Sequence, residues 1–247
     1  NVPIIIGTLA SNLKDQKPFI STNNNSYPSA IKIFEKANTA YSSGNYKSAD
    51  SLFRLAKDLD ALRFRAPSEM NKMIEKFGND YSIAVADIDS AFNASSIHNI
   101  VGDNLMTDHL HPTLQGYQLM GKIFFETMVK RNYFPKDFPP VIPFDEQDRI
   151  TIMQFPFSKM DSSIALYRIK LLKNDWPYID PKNKVPVEKL ITPKTYEDTM
   201  ALKLVNDDIT WIECHQKAAE KKLSEKDIDG FLQHMEILIY QYPVIVE

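Results

Sequence analysis

A continuous apolar run near the start of the chain, Val2 to Leu9 (VPIIIGTL), constrains the fold more than any other stretch. Its residues are largely β-branched and are not separated by polar ones, which is typical of a strand buried in a parallel sheet. A second such run, Tyr81 to Ile88 (YSIAVADI), follows much further along the chain. Because parallel strands need a long crossover connection, this order of elements predicts an α/β crossover with an insertion.

The connection between the two runs is predicted to be a polar loop at 21–29 followed by helices. Within 37–60, small and aromatic residues recur at the spacing of a tetratricopeptide helix pair, and Gly44 lies between the two predicted helices. We therefore predict a helical insertion over about 30–77. It either offers a peptide-binding groove or only packs against a site and shapes it. The second interpretation is favoured because a single repeat cannot bury its own faces.

Composition limits the classes of function. The 247 residues suffice for one large domain or two small ones, and 43% hydrophobic with 25% charged residues is ordinary for a globular protein. A formal net charge of -3 gives no reason to expect nucleic acid or an anionic membrane as a partner. No apolar run approaches the length of a membrane span. The single cysteine, Cys214, excludes an internal disulfide framework and a cysteine-based metal site.

The block Asp108–Pro112 (DHLHP) is the strongest candidate for chemistry. A carboxylate three residues before an imidazole can hold the ring in one tautomer while the ring removes a proton from a hydroxyl. Pro112 suits a first helical turn, and apolar residues recur at helical spacing from Leu114 to Met128. The spacing by itself equally allows Asp108 to be a helix cap and His111 a surface imidazole.

Four other polar residues are candidates for substrate binding. Ser11 and Asn12 follow the first predicted strand at its carboxyl end, the edge at which open α/β sheets bind ligands. Asn12 either donates its amide to a substrate oxygen or closes an Asx turn, which is favoured, and no glycine elbow surrounds Ser11. Arg63 and Arg65 either clamp an anionic substrate or pair with the two nearby aspartates, and pairing is favoured.

The chain changes character beyond residue 133. Residues 134–157 are rich in proline and aromatic residues and predict an extended strap. Residues 158–247 predict a mainly helical region with a degenerate tetratricopeptide-like rhythm. His215 and His234 lie there at no metal-like spacing, and we expect them to be structural or solvent-facing.

Together these stretches resemble the SGNH/GDSL hydrolase superfamily, specifically its tetratricopeptide-associated bacterial branch. The resemblance covers Val2 to about Met128 and is looser from Ile150 onward. The matching pieces are PIIIGTLASNLKDQKPF, AKDLDALRFRAP, VADIDSAF and GDNLMTDHLHPTLQGYQLMGKIF. The last piece is the most specific, because it corresponds to the family's final Asp-x-x-His-Pro block.

The resemblance implies an α/β fold: a partial SGNH-type (flavodoxin-like) parallel sheet within 1–133, an inserted helical hairpin, and a mainly α-helical C-terminal region. It implies hydrolysis or acyl transfer on a small-molecule or carbohydrate ester, with His111 as general base, Asp108 as its orienting carboxylate, and no metal or organic cofactor. The family's serine and oxyanion blocks are absent from this sequence, so we expect an N-terminal segment before Asn1 to supply them. The implied source is bacterial, and an exported or periplasmic location is compatible with it.

A second hypothesis comes from another class: a non-catalytic, tetratricopeptide-like scaffold that holds a partner peptide with its helices. The two hypotheses differ in an observable. Only the hydrolase requires Asp108 within hydrogen-bond distance of the His111 ring, with that ring facing the loop after Leu9.

Overall fold

The computed structural model describes residues 2–22, 27–135, 137 and 142–243. It forms two compact units, one up to Ile142 and one from Pro143 onward. Both are rich in helix, and the sheet is small and parallel, so the mainly helical α/β layout is confirmed. Part of the predicted polar loop (23–26) and part of the predicted strap (136 and 138–141) lie outside the described residues.

The sheet of the first unit has two described strands. β1 (Ile5–Gly7) pairs in parallel with β2 (Ala84–Ala86), with Ile5 opposite Ala84. Both strands are shorter than the predicted runs, and β1 is only half-buried, with Ile4 before it 58% exposed. The predicted parallel strand is therefore confirmed over Ile5–Gly7, and the predicted burial and the extent from Val2 to Leu9 are wrong. Within the described residues β1 lies at an edge of a sheet of two strands, where few neighbouring elements cover its side chains.

The predicted insertion contains a helical hairpin and a third helix: α1 (Ala30–Ser42), α2 (Tyr46–Asp58) and α3 (Ser68–Asp80). Gly44 joins α1 to α2 with a φ of +80°, a conformation that only glycine adopts readily. The inner face of the hairpin belongs to a core that also includes Leu13 and Ile100, so the hairpin packs on its own unit. Its members in that core are Ala37, Ala49 and Phe53.

Two helices follow β2: α4 (Ile88–Ala94) and α5 (Leu114–Lys130). α5 packs on both strands and on α4. The core that they share is apolar and is formed by Ala86, Ile88, Phe92, Val101, Leu105 and Met106, with Leu119, Met120, Ile123 and Phe124 of α5 against it. This packing fixes the loop before α5, which contains the DHLHP block, relative to the sheet.

The second unit is helical throughout its described part. Its helices are α6 (Phe144–Gln154), α7 (Lys159–Lys173), α8 (Val187–Leu190), α9 (Tyr196–Val205), α10 (Trp211–Ser224) and α11 (Ile228–Gln241). The prediction of an extended strap over 134–157 is wrong for α6. The residues of α6 include no proline, and two acidic residues in the first turn of α6 favour the helix.

Three helices of this unit begin with capping boxes, in which the cap side chain and the residue three positions on exchange hydrogen bonds. Met160, Ile164 and Tyr167 of α7 form the centre of the apolar core with residues of α9 and α10. Among the helices that the structure describes, none combines the length and the apolar character needed to cross a bilayer.

Candidate functional site

Asp108 is completely buried, and the turn that follows it satisfies its carboxylate. Oδ1 accepts the backbone N–H groups of Leu110 and His111, each at 2.8 Å. Oδ2 accepts the Nδ1–H of the His111 ring at 2.7 Å. Aspartate commonly accepts backbone N–H groups two and three residues ahead, so the local sequence itself builds this arrangement.

These hydrogen bonds decide the charge of Asp108. Burial raises the pKa of the carboxyl group, but the N–H groups of His111 and Leu110 and the imidazole lower it, and the net pKa is lowered. The group is therefore a carboxylate at neutral pH and can only accept hydrogen bonds. It consequently keeps the proton of neutral His111 on Nδ1 and leaves the lone pair on Nε2.

The His111 side chain is 58% exposed, so its second nitrogen is accessible. The ring lines a pocket of about 350 Å³ together with Thr8, Leu9 and Ser11. These residues belong to the segment at the carboxyl end of β1. The His111 ring therefore faces the loop that leaves the first strand.

The other walls of this pocket are apolar. Ile88 and Phe92 of α4, Met106 of the preceding loop and Met120 of α5 contribute to them. An imidazole base beside such walls is suited to a substrate that has an apolar part next to its reacting group.

Asn12 is buried, and its side chain is committed to the protein. Its Nδ2 donates to Oδ1 of Asp103 (2.7 Å) and to the carbonyl of Asp108 (3.2 Å), and its Oδ1 accepts the N–H of Asp15 (3.0 Å). Both amide hydrogens are therefore used, and a substrate oxygen cannot receive them. The proposed substrate contact of Asn12 is corrected to a positioning role that ties the loop after β1 to the DHLHP block.

Neither of the two candidate arginines lines the His111 pocket. Arg65 is buried and donates from Nη1 to the carbonyls of Asn12 (2.9 Å) and Gln16 (2.8 Å), and its Nη2 lies 3.4 Å from Asp60. Local pairing, the favoured interpretation, describes Arg65, and its role as a substrate clamp is corrected. Arg63 is exposed and is not among the residues that line the His111 pocket.

Ser11 is buried, and it is the serine among the residues that line the pocket with His111. The other hydroxyl at this edge, Thr8, is engaged. It donates to Oδ1 of Asp87 (3.1 Å) and accepts the N–H of Asp89 (2.9 Å). Ser11 lies in the loop that follows β1, and its immediate neighbours Ala10 and Asn12 are not the glycines that form the sharp turn of a nucleophile elbow.

His109 is a residue that the sequence-based interpretation did not single out. Its Nδ1 lies 3.7 Å from Oδ1 of Asp108, and its ring meets Phe19 edge-on and Phe64 at a tilt. Burial lowers its pKa. It is a second, buried imidazole beside the same carboxylate. The sequence shows that His109 is adjacent to Asp108, but adjacency does not predict which of the two histidines, His109 or His111, lines the pocket.

No group of three or more histidine, cysteine or carboxylate side chains arranged to hold a metal ion occurs in the part of the chain that the structure describes. Comparison of the chain with family models, with curated proteins and with solved structures gave no match.

Proposed function

We propose that this chain carries the acid–base pair of an ester hydrolase or acyl transferase that uses a Ser-His-Asp mechanism of the SGNH/GDSL type. One observation carries the proposal. The fully buried carboxylate of Asp108 is held by two backbone N–H groups and lies 2.7 Å from Nδ1 of a half-exposed imidazole that lines a pocket. Asp108 does not cap α5, because the cap is Thr113, whose hydroxyl accepts the N–H of Gly116.

In this proposal Nε2 of His111 removes the proton of a serine hydroxyl while the serine oxygen attacks the ester carbonyl. The carboxylate of Asp108 stabilises the imidazolium that forms. The same Nε2–H then protonates the leaving alcohol, and a water molecule repeats the cycle on the acyl-enzyme. Backbone N–H groups stabilise the oxyanion.

The serine comes from a segment that precedes Asn1 in the complete protein. Two features support this part of the proposal. Ser11, the serine in the pocket, is not flanked by the glycines of a nucleophile elbow. Within the described residues β1 pairs with β2 alone, so its other edge offers backbone groups to a further strand.

The pocket beside His111 takes the apolar part of the ester. Its walls include Phe92, Met106 and Met120, which favour an acyl chain over a polyhydroxylated group at this position. A sugar, the substrate type suggested by resemblance, then lies on the side of the ester bond that faces solvent.

The test uses the complete protein encoded by the gene and a fluorophosphonate probe. The serine oxygen displaces fluoride from phosphorus, and peptide mass spectrometry identifies the labelled residue. We expect one labelled serine upstream of Asn1. His111→Ala should lose the labelling, whereas the matched control His98→Ala, which alters an exposed histidine of the same unit, should keep it. Equal labelling of the His111→Ala protein, or no labelled serine in the wild type, contradicts the proposal.

A further inference from the structure

A buried series of three titratable side chains runs through the second unit, independently of the site proposed above. Asp161 lies in the first turn of α7, His215 on α10 and His234 on α11. Oδ1 of Asp161 is 3.1 Å from Nε2 of His215, and Nδ1 of His215 is 3.0 Å from Nδ1 of His234. His215 is fully buried, and His234 is only 2% exposed. Three separate helices thus deliver one hydrogen-bonded series.

The acid at one end fixes the hydrogens along the series. Burial raises the pKa of Asp161, but hydrogen bonds from His215 and Ser158 lower it to about 2, so the group is an anion that only accepts. Nε2 of His215 must therefore carry a hydrogen, which in the neutral ring leaves a lone pair on Nδ1. That lone pair accepts the Nδ1–H of His234. Nε2 of His234 is then left with a lone pair.

The His234 end of the series opens on a second pocket. His234 lines a cavity of about 490 Å³ together with the acidic residues Glu197, Asp227 and Asp229 and with Lys159 and Lys222. Lys222 already pairs with Asp227 at 3.1 Å and with Glu197 at 3.5 Å.

The charges and the lone pair favour the same kind of ligand. Three carboxylates face two lysines, so the lining has an excess of negative charge. Nε2 of His234 has no hydrogen-bond partner among the bonds that the structure describes for this ring. An acceptor nitrogen that is accessible from an acidic cavity favours a hydrogen-bond donor, preferably a positively charged one.

We propose that this pocket is a binding site for a small organic ammonium ion, whose N–H group donates to Nε2 of His234 while the surrounding carboxylates balance its charge. Asp161 does not touch the ligand. It acts as a positioning residue, because it sets the tautomer of His234 through His215.

The tautomer is tested by side-chain ¹⁵N NMR of the ¹⁵N-histidine-labelled chain. The wild type should show Nδ1 of His234 protonated and Nε2 unprotonated at neutral pH. In Asp161→Asn the new amide donates to Nε2 of His215, so both rings should change tautomer and Nε2 of His234 should become protonated. His98 of the first unit should keep its signals and serves as internal reference. A protonated Nε2 of His234 in the wild type overturns the proposal, and that spectrum decides even if the variant fails to fold.

The ligand class is tested with 1,4-diaminobutane, and 1,4-butanediol and succinate serve as neutral and anionic controls at equal ionic strength. The diamine should shift the Nε2 signal of His234 saturably, and the diol and succinate should not. Asp229→Asn, which removes a lining carboxylate, should weaken the diamine several-fold. Asp208→Asn, which removes an exposed carboxylate outside the pocket, should not. A response to succinate, an equal response to the diol, or no saturable response to the diamine overturns the proposal.

Discussion

The two units contain the same chemical pair, an aspartate hydrogen-bonded to a histidine, in two different settings. In the first unit Asp108 and His111 come from one turn, and the ring is half-exposed beside apolar walls. In the second unit Asp161, His215 and His234 come from three helices, and both rings are buried. In each case an ionised carboxylate fixes the tautomer. What each pair can do chemically therefore depends on the surroundings of the imidazole nitrogen that bonds to no protein group among the described residues, Nε2 of His111 or Nε2 of His234.

The largest effect that separates the two settings is expected from Asp108→Asn in the complete protein. The new amide donates to Nδ1 of His111, so the proton moves to Nε2 and the ring can no longer act as a base. Turnover of a chromogenic ester should fall by about 10³- to 10⁴-fold, with little change in KM. Asp161→Asn should leave turnover close to that of the wild type. Similar losses for the two variants would end the distinction between a catalytic and a non-catalytic pair.

A large effect on stability is expected from Gly116→Ala in α5. A methyl group there would lie 2.5 Å from the carbonyl oxygen of Leu105 and 2.8 Å from Cβ of Pro112, directly behind the DHLHP turn. We expect a loss of about 1–3 kcal/mol in the free energy of unfolding, measured by urea denaturation. Gly121→Ala is the matched control in the same helix, because a methyl group there meets nothing within 4 Å. It should be neutral or stabilising by up to about 1 kcal/mol, and equal losses would refute the close packing.

A pH dependence of stability is expected from His234 in the second unit, in addition to that of His109 in the first unit, whose pKa burial also lowers. Burial and His215 lower the pKa of His234, with Asp161 and Glu197 opposing and Lys222 adding to the lowering. His234 therefore binds a proton at a higher pH in the unfolded chain than in the folded chain. Stability is fully present above pH 6.5, the ordinary value for histidine, and decreases as the pH falls through that value towards the lowered one.

Thermal unfolding between pH 8 and pH 5 measures this effect. His234→Gln should reduce this pH dependence and leave the part that comes from His109. If the unfolding temperature of the wild type stays constant or rises as the pH is lowered below 6.5, the predicted sign of the pH dependence is contradicted.

Asp161 should add a second, more acidic phase. Its pKa is lowered from 3.8 to about 2, so its contribution is present above pH 3.8 and is lost as the pH falls towards 2. The unfolding midpoint of the wild type should therefore decrease across this range more steeply than that of Asp161→Asn.

The smallest effect is expected from Ser11→Ala. If the reacting serine precedes Asn1, this change removes one hydroxyl from the pocket wall and should alter turnover by less than about threefold. A loss of turnover together with the loss of fluorophosphonate labelling would assign the nucleophile to Ser11 instead.

Local patterns predicted the parts of the structure that local sequence builds. The hydrogen bond between Asp108 and His111 follows from a three-residue spacing, and the mainly helical region predicted from residue 158 begins with α7 at Lys159. The parallel pairing of β1 with β2 followed from two β-branched runs far apart in the chain.

Features that depend on several elements were not predictable in this way. The sequence-based interpretation placed His215 and His234 on helices but not in contact, because 19 positions separate them and only the packing of α10 on α11 brings them to 3.0 Å. For Arg65 and Asn12 the sequence left substrate binding open beside the favoured alternatives, ion pairing and an Asx turn, and the structure shows that both side chains donate to backbone carbonyls. The helix α6 was not predicted because the prolines that precede it indicated an extended segment.

The central claim is that His111 is the general base, and the most direct test of it is the ester turnover of the His111→Ala protein. The complete protein is assayed on a small chromogenic ester, with circular dichroism to show that the fold is kept and His98→Ala as the control. The account predicts that His111→Ala loses at least about 10³-fold in kcat and that the control keeps its activity. Wild-type turnover by folded His111→Ala protein would contradict it.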